Sequence, residues 1–259
     1  MAVITFISDF GYTDHYVAAV KAKLLSQDAD CKIVDITHAI EPFNIAHAEY
    51  VLGSVYQDFA EGTVHLVGVD SHGSKSGRFH AARYKGHYFL LPDNGLLSLL
   101  TDGQPEIVVE LSVENPFMPF PVKDVLAPAA VYLAKGGDIE VLGERTYDIR
   151  QLLNRQLRLN DHSIMGHVIH VDRYGNLITN ITRDSVDTIA HGRTFTIHFG
   201  RETIGRIHPN YNQVDDGDCC CIFNSQNQLC IGINKGHAAE LLGLGFDSQV
   251  DVRFYPGAN

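Results

Sequence analysis

The chain has 259 residues, of which 45% are hydrophobic and 20% are charged, a composition typical of a soluble globular protein. Its formal net charge of −11 argues against nucleic acid as a partner, because binding a phosphate backbone requires clustered Lys and Arg. No apolar stretch reaches the ~20 residues that cross a bilayer, and MAVITFISDF lacks the features of a signal peptide. We therefore expect a cytoplasmic protein with no membrane partner.

The first half of the sequence alternates between strand-like and helix-like segments. Predicted strands are VITFIS (3–8), CKIVDIT (31–37), TVHLVGVD (63–70) and HYFLLPDNG (87–95), and predicted helices lie near 14–26, over 44–60 and in DVLAPAAVYLAKGG (124–137). This alternation predicts an N-terminal α/β domain over residues 1–155, with a mostly parallel sheet covered on both faces.

The second half has shorter segments that turn residues separate. A polar linker is predicted at about 156–164, and the segments beyond it alternate between apolar and polar residues. We predict a smaller all-β, barrel-like domain over 165–259 with one short helix, AAELLGL. CCC, at 219–221, alternates faces in such a strand. The five cysteines have no metal-ligand spacing and are interpreted as buried thiols, with no metal site.

Carboxylates follow the predicted strands of the first half. Asp9, Asp35, Asp70 and Asp93 each lie at or near a strand end, and the carboxyl ends of an open α/β sheet are where ligands usually bind. Any one of them could instead be a turn or cap residue. Asp14 precedes the first predicted helix and fits an N-cap as well as it fits a ligand contact.

Two loops of the second half carry candidate polar residues. HVDRYGNLITNIT places Asp172, Asn176 and Asn180 around a turn, which a β-hairpin turning at Gly175-Asn176 explains equally well. NSQNQLCIGINKGHAAELLG adds Ser225, Asn234 and a glycine before a helix. The second loop is suited to backbone contacts with a ligand.

Seven motifs occur in one order across nearly the whole chain. They are SDFGYTDHYVAAVKAKL, DITHAIEPFNIAHAEYVL, VDSHG, PDNGLLSLL, KDVLAPAAVYLAKG, VDRYGNLITNIT and FNSQNQLCIGINKGHAAELLG. Together they resemble the S-adenosylmethionine (SAM) hydroxide adenosyltransferase family, the adenosine-forming SAM hydrolases, which share a fold with the SAM-dependent fluorinase and chlorinase. The resemblance implies SAM as substrate, no further cofactor, an α/β domain followed by a β-barrel domain, and a homotrimer. Each active site would lie between the N-domain of one subunit and the C-domain of a neighbour.

The resemblance also implies roles for individual residues. Asp9 matches the family's ribose-binding aspartate, and Asp14 matches an acid that faces the ammonium group of the substrate. The other matches are two apolar wall positions, Phe43 and Phe120; two methionine-side contacts, Asp172 and Ser225; and three adenine-side positions, Asn176, Asn234 and Lys235.

The water-activating residues of the family are only partly matched. Asp70 matches the aspartate of the family's Asp–Arg–His set, but Gly77 stands at the arginine position, with Arg78 next to it. Pro121 stands where the family has histidine. We predict Asp70 and Arg78 as the catalytic pair, with Arg78 folding back onto the carboxylate and with His72 and His80 as candidate substitutes for the missing histidine.

Three functions remain open on the sequence alone. The first is hydrolysis of SAM to adenosine and methionine. The second is binding of SAM or a nucleoside without turnover, and the third is transfer to another nucleophile such as halide. Asp70 argues against the third, because a carboxylate would repel a bound halide.

Overall fold

The computed structural model describes residues 2–72, 77–113 and 118–256. The chain divides into two compact units, Met1–Leu153 and Asn154–Asn259. Within the described residues, no helix combines the length and the apolar composition that a bilayer span would need.

A seven-stranded sheet forms the centre of the N-terminal unit. Its strands are β1 (Val3–Ser8), β2 (Lys32–Thr37), β3 (Val64–Gly68), β4 (Phe79–Tyr84), β5 (His87–Pro92), β6 (Ile107–Leu111) and β7 (Gly143–Arg145). They lie in the order β2-β1-β3-β5-β4-β6-β7. Strands β2, β1, β3 and β5 are parallel neighbours, whereas β4 is antiparallel to both β5 and β6, and β7 is antiparallel to β6.

The sheet is therefore mixed, and the prediction of a mostly parallel sheet is wrong. The sequence analysis assigned no strand to FHAARY or IVVEL, which form β4 and β6. Only Lys85 and Gly86 connect β4 to β5, and both have positive φ, 47° and 75°. A two-residue loop of this kind joins antiparallel strands, because a parallel pair needs a long crossover connection.

Helices cover both faces of this sheet. They are α1 (Tyr16–Gln27), α2 (Ile45–Gly53), α3 (Leu96–Leu100) and α4 (Ala127–Ala134), and a π-helical turn, Val122–Leu126, leads into α4. The helix predicted over 44–60 ends at Gly53, and a 3₁₀ turn, Tyr56–Asp58, follows it.

The two faces of β1 belong to two separate hydrophobic cores. Ile4 and Phe6 pack with α1 and α4, whereas Ile7 packs with α2 and α3. Successive side chains of a strand point to opposite faces, so VITFIS, which is buried from Ile4 to Ser8, requires cover on both sides. The ends of β1, β3 and β5 therefore lie between two helical layers, and their loops emerge at one edge of the sheet.

An eight-stranded antiparallel, barrel-like sheet forms the C-terminal unit. Its strands are β8 (Arg158–Asn160), β9 (Ser163–Val171), β10 (Leu177–Thr182), β11 (Thr194–Phe199), β12 (Glu202–Ile204), β13 (Cys219–Phe223), β14 (Gln228–Ile233) and β15 (Gln249–Tyr255). The order is β12-β11-β15-β9-β10-β14-β13, with β8 paired to β9. Strand β8 and the start of β9 thus occupy the segment 156–164 that was predicted as a linker.

Two helices complete this unit, α5 (Arg183–Ala190) and α6 (Ala238–Leu242). The predicted short helix AAELLGL is confirmed as α6, but α5 was not predicted. Its start is a capping box in which Thr182 and Ser185 each accept a hydrogen bond from the other's backbone N–H, at 3.2 and 3.1 Å. The spacing of Thr182 and Ser185, three residues apart at the start of the helix, is the sequence signal of this capping box. Cys220, Cys221 and Cys230 are buried free thiols.

Candidate active site

The Asp9 carboxylate contacts two other predicted site residues. Its Oδ2 accepts hydrogen bonds from the backbone N–H groups of Phe43 and Asp70, each at 3.0 Å. Phe43 and Asp70 have φ values of 64° and 43°, in the left-handed region that non-glycine residues seldom adopt. One carboxylate oxygen thus stabilises two strained loop conformations, in the segments that follow β2 and β3, the two parallel neighbours of β1.

Asp70 combines partial burial with a neighbouring negative charge. Burial raises the pKa of Asp70, and the nearby Asp9 carboxylate raises it further. Arg150 and His72 oppose this pKa increase electrostatically. A carboxyl group with a raised pKa is a better general base than an ordinary aspartate, and this is a common property of catalytic acids and bases.

Aromatic side chains surround the Asp9 loop. Phe120 packs edge-on against Phe10 and Tyr16, with ring centroids 5.7 and 5.6 Å apart. Phe43 is 73% exposed. The predicted apolar wall positions are thus both close to Asp9, Phe43 through a direct hydrogen bond and Phe120 through the neighbouring ring of Phe10.

Asp14 lies in the loop between β1 and α1 and is exposed. The helix begins at Tyr16 and its N-cap residue is His15, which makes no side-chain capping bond. The N-cap interpretation of Asp14 is therefore wrong. Its carboxylate is available at the same edge of the sheet as Asp9.

Arg78 does not pair with Asp70 as predicted. Its guanidinium donates to Asp93 at 2.6 Å and to Asp148 at 2.7 Å, and it lies 3.8 Å from Glu110. Three carboxylates therefore hold the charge of Arg78 on the β4 side of the sheet. The sequence positions of Asp70 and Arg78 suggested a pair, but β4 begins immediately after Arg78 and fixes its direction.

Asp93 has a structural task in this arrangement. Its side chain is buried, and besides the Arg78 guanidinium it accepts the backbone N–H of Arg150 at 2.8 Å. The next residue, Asn94, donates to the carbonyl of Val69 at 2.9 Å, directly before Asp70. These two bonds hold the segment around Arg150 and the end of β3 against the same turn. His80, proposed as a substitute base, is buried 3.8 Å from Asp93.

Pro121 occupies the buried start of the π-helical turn. The carbonyl of the preceding Phe120 accepts backbone hydrogen bonds from Lys123 and Asp124, at 3.1 and 3.0 Å. At the start of a helical segment the backbone N–H has no partner within the helix, so the missing N–H of proline costs no hydrogen bond. The φ of Pro121, −63°, also suits a helix. Pro121 therefore begins a helical segment.

A polar network beneath Asp9 was not predicted from the sequence. Ser8 Oγ lies 2.7 Å from His38 Nδ1, and His38 Nε2 lies 3.2 Å from Asp35 Oδ1. Ser8 at the end of β1 and the DITH motif at the end of β2 were visible signals, since β1 and β2 are parallel neighbours. Arg150 was also missed, and no pattern in its polar segment indicated a role.

In the C-terminal unit, Asp172 and Asn176 form one hydrogen-bonded turn. Asp172 Oδ1 accepts the backbone N–H groups of Tyr174 and Asn176, both at 2.9 Å, and its Oδ2 accepts the Asn176 side-chain amide at 2.8 Å. Gly175 has φ 82°, and a Cβ there would lie 2.3 Å from His237. The predicted hairpin is confirmed, because Leu177 pairs with Val171 across this turn.

Asn234 and Lys235 lie beside this turn. The backbone carbonyl of Gly175 accepts the N–H of Ala239, which ties the loop after β14 to the hairpin. Asn234 donates its side-chain amide to the carbonyl of Val214 at 2.9 Å, and Lys235 lies 2.8 Å from Asp216. Four of the five predicted C-terminal residues are thus gathered at one end of the sheet.

Ser225 is not with them. It lies in the turn between β13 and β14, where its hydroxyl donates to Gln226 at 2.9 Å. Strand β14 runs from Gln228 to Ile233, and at about 3.3 Å per residue it separates Ser225 from the Asn176 end by roughly 17 Å. Within one chain, the structure does not bring Ser225 together with Asp172.

The fold and this edge define an α/β protein with carboxylates at the ends of its parallel strands, where ligands of such folds usually bind, followed by an antiparallel β domain. Residues 4–143 match the model of the SAM hydroxide adenosyltransferase N-terminal domain, and residues 166–251 match that of the C-terminal domain. The chain belongs to the SAM hydroxide adenosyltransferase family.

Similar proteins include hydrolases and a fluorinase. The (R)-S-adenosyl-L-methionine hydrolase of Thermus thermophilus is 32% identical over 94% of this chain and 96% of its own length. The enzyme of the same name from Methanocaldococcus jannaschii is 29% identical over 96% of this chain and 95% of its own length. The fluorinase of Nocardia brasiliensis is 27% identical over 73% of this chain and 74% of its own.

A solved structure of an uncharacterized conserved protein from Thermotoga maritima has a TM-score of 0.87 and is 29% identical to this chain. The match covers 97% of this chain and 100% of that one. A solved structure of a conserved hypothetical protein from Thermus thermophilus is 30% identical to this chain and has a TM-score of 0.77. That match covers 98% of this chain and 100% of the other. The fold is therefore shared over nearly the whole length of the chain.

Proposed function

We propose that the protein hydrolyses SAM to adenosine and L-methionine by attack of water at C5′ of the ribose. Relatives that carry the name (R)-S-adenosyl-L-methionine hydrolase match 93–96% of the chain at 26–32% identity. The observation that carries the proposal is the pairing of Asp9 with the backbone of Asp70, which sets two carboxylates side by side at the ligand edge of the sheet.

The leaving group of this reaction needs little stabilisation by the protein. The sulfonium of SAM departs as a neutral thioether, so no developing anion needs stabilisation there. The protein must instead hold water in line with the C5′–sulfur bond and exclude competing solvent, which are effects of positioning and desolvation. Aromatic residues around the Asp9 loop, Phe10, Tyr16 and Phe120, suit an enclosing wall.

In this mechanism Asp9 binds the ribose and Asp70 orients the water and accepts its proton. Asp9 Oδ2 is occupied by two backbone N–H groups, which leaves Oδ1 to accept ribose hydroxyls. The raised pKa of Asp70 favours proton acceptance. Asp14 serves the ammonium group of the methionine moiety.

Arg150 is the cation that we assign to Asp70 in place of Arg78. Arg150 counteracts the increase in the Asp70 pKa, so its positive charge keeps the carboxylate ionised. Arg78, in contrast, is bound to Asp93 and Asp148 and supports the segment that carries Arg150.

We further propose a homotrimer in which the C-terminal unit of one subunit completes the site of a neighbour. Asp172, Asn176, Asn234 and Lys235 would supply the adenine- and methionine-side contacts, and Ser225 would contact the substrate from a separate loop. Light scattering should then give a mass of three chains or a multiple of three. A monomer that is fully active would contradict this assembly.

Binding without turnover is the second candidate, and Gly77 and Pro121 favour it, because two of the family's three activating positions differ here. The deciding experiment incubates the purified protein with SAM and follows adenosine and methionine by chromatography. Adenosine release above the no-protein control supports hydrolysis, and SAM binding without release supports the second candidate. A 5′-halogenated nucleoside formed only with added halide would indicate the third function.

Asp70→Ala tests the mechanism within the same assay. We expect it to abolish adenosine release while adenosine affinity stays within about threefold, since the side chain acts on water rather than on the nucleoside. The control is Asp138→Asn, which also removes one carboxylate charge but lies after α4, where the Asp138 side chain accepts the backbone N–H of Glu140 at 3.0 Å. Undiminished turnover in Asp70→Ala would refute the role of Asp70 and leave the reaction itself standing.

A further inference from the structure

Ser8, His38 and Asp35 form a chain of polar contacts beneath the Asp9 loop, in which Ser8 and His38 are buried and Asp35 is exposed. Ser8 Oγ and His38 Nδ1 are 2.7 Å apart, and both side chains are completely buried. His38 Nε2 lies 3.2 Å from Asp35 Oδ1, an ion-pair separation rather than a well-aligned hydrogen bond. The same three residue types form hydrolase triads, so their task here needs a specific account.

Burial excludes a nucleophilic role for Ser8. Its side chain has no exposed surface, and it lies on β1 opposite Gly68 of β3. A Cβ at Gly68 would lie 3.2 Å from the Phe10 ring and 3.3 Å from Ser8 Cβ, so these groups are already in close contact. No substrate atom can approach a hydroxyl in that position.

The hydrogen-bond donors of this Ser8–His38–Asp35 chain all point from Phe10 towards Asp35. The backbone N–H of Phe10 donates to Ser8 Oγ at 3.4 Å. Burial lowers the pKa of His38, which favours the neutral ring. With its proton on Nε2, facing Asp35, the ring accepts the Ser8 hydroxyl at Nδ1. The Phe10 N–H and the Ser8 hydroxyl then each have an acceptor, and the Nε2 proton faces the Asp35 carboxylate at the ion-pair separation of 3.2 Å.

His38 contacts the Asp9 loop at three points. Besides the ring contact with Ser8, its carbonyl accepts the N–H of Gly11 at 2.8 Å, and its own N–H donates to the Tyr12 hydroxyl at 3.1 Å. Asp9 lies between residues that His38 holds on both sides. Asp35 also pairs with Lys21 of α1 at 2.5 Å, which anchors the outer end of the chain.

We propose that Ser8, His38 and Asp35 are positioning residues, which hold the Asp9 carboxylate in the orientation that binds the nucleoside ribose and fixes the Asp70 backbone. The ribose part of this inference rests on the proposed function. The part that concerns the Asp70 backbone does not, because it follows from the hydrogen bond between Asp70 N and Asp9 Oδ2.

The structure supplies a matched control for this proposal. Thr5 Oγ1 lies 2.7 Å from His65 Nδ1, and both of these side chains are also fully buried between β1 and β3. Ser8→Ala and Thr5→Val each remove one buried hydroxyl from a histidine. Both variants should lower the melting temperature, but only the first removes a contact beneath Asp9.

Two readouts separate positioning from general stability. The first is adenosine affinity by calorimetry, for which we expect about tenfold weaker binding in Ser8→Ala and no change beyond about twofold in Thr5→Val. The second is amide hydrogen exchange of Gly11 and Asp70 without ligand. We expect exchange at both amides to accelerate at least about fivefold in Ser8→Ala, because their carbonyl and carboxylate partners become mobile.

Substitution of His38 provides a rescue test. Asparagine places an amide oxygen near the position of Nδ1 and can still accept from Ser8, whereas leucine fills space without an acceptor. We expect His38→Asn to keep adenosine affinity closer to that of the wild type than His38→Leu, when both are measured below their melting temperatures.

The outcomes distinguish the two proposals. If the wild type does not bind adenosine, the proposed function fails, and hydrogen exchange alone decides the positioning proposal. Unchanged exchange at Asp70 and Gly11 in Ser8→Ala overturns the positioning proposal. Equal effects of Ser8→Ala and Thr5→Val on affinity or exchange also overturn it, because the loss would then reflect general destabilisation.

Discussion

Asp9→Asn is the substitution that tests the centre of the site. In the wild type, Oδ2 accepts two backbone N–H groups and Oδ1 remains for the ribose. Asparagine has one carbonyl oxygen and one NH₂ group, so it can satisfy the two N–H donors or the ribose hydroxyls, but not both. If its oxygen faces Phe43 and Asp70, a donor faces the ribose.

The size of the effect follows from these contacts. A hydrogen bond to a charged group is worth about 1.5–3 kcal/mol and a neutral one about 1 kcal/mol, so replacing the carboxylate removes roughly 1–3 kcal/mol of ribose binding. This range corresponds to adenosine binding weakened by about 5- to 150-fold. The amide of Asp70 should exchange faster as well, because its acceptor loses its charge.

Isothermal calorimetry with adenosine measures the first effect, and amide hydrogen exchange measures the second. Asp138→Asn is again the control, since its side chain accepts a backbone N–H away from the ligand edge. A correctly folded Asp9→Asn protein that binds adenosine with wild-type affinity would refute the assignment of Asp9 to the ribose. Wild-type exchange at Asp70 would refute its role in holding that backbone.

Arg150→Ala should move the acidic limb of the kcat–pH profile to higher pH, because Arg150 opposes the increase in the Asp70 pKa. Arg145→Ala is the surface control. An acidic limb that does not move in Arg150→Ala would exclude Arg150 from the site. Acid should also destabilise the fold through His65, whose pKa falls from 6.5 to about 3 on burial. A depressed folded-state pKa gives stability that is complete above about pH 6.5 and is lost as the pH falls towards 3. The loss is about 1.4 kcal/mol for each pH unit well below the unfolded pKa. Thermal melts across this range should show a shallower pH dependence in His65→Gln, and an identical slope would contradict the assignment to His65.

The placement of carboxylates after strands of the first unit is the feature that the sequence predicted well. Asp9, Asp70 and Asp93 follow β1, β3 and β5, which are consecutive neighbours in the sheet, whereas Asp35 lies within β2. Their convergence at one edge follows from local strand patterns and the chain order alone, because parallel strands place their carboxyl ends together.

The partners of those carboxylates could not be predicted. Asp9 accepts N–H groups from residues 34 and 61 positions further along the chain. Arg78 is bound by Asp93 and by Asp148, 70 residues away, instead of the nearer Asp70. Charge and spacing gave Arg78 several candidate partners, and only the direction of β4 selects among them.

The antiparallel strands of the first unit were missed for a different reason. FHAARY lies close to the loop after Asp70, which was predicted to be catalytic. The Tyr-Lys-Gly-His sequence that follows it forms the hairpin turn between β4 and β5, and this turn was not predicted. The arginine that precedes β4 was consequently treated as part of the water-activating loop. An early assignment of β4 would have directed Arg78 away from Asp70.

In the proposed mechanism, the contacts of Asp9 link ribose binding to the placement of the general base. Because Oδ2 holds the backbone of Asp70 while Oδ1 is available to the ribose, a change at Asp9 affects both groups. Asp9→Asn should therefore lower kcat as well as raise KM, whereas Asp70→Ala should lower kcat with KM nearly unchanged. In free-energy terms, Asp70 acts only in the transition state and Asp9 acts in both the bound state and the transition state. Asp9→Asn with a raised KM and a wild-type kcat would show that the Asp70 backbone keeps its position without Asp9, and the two carboxylates would then act independently.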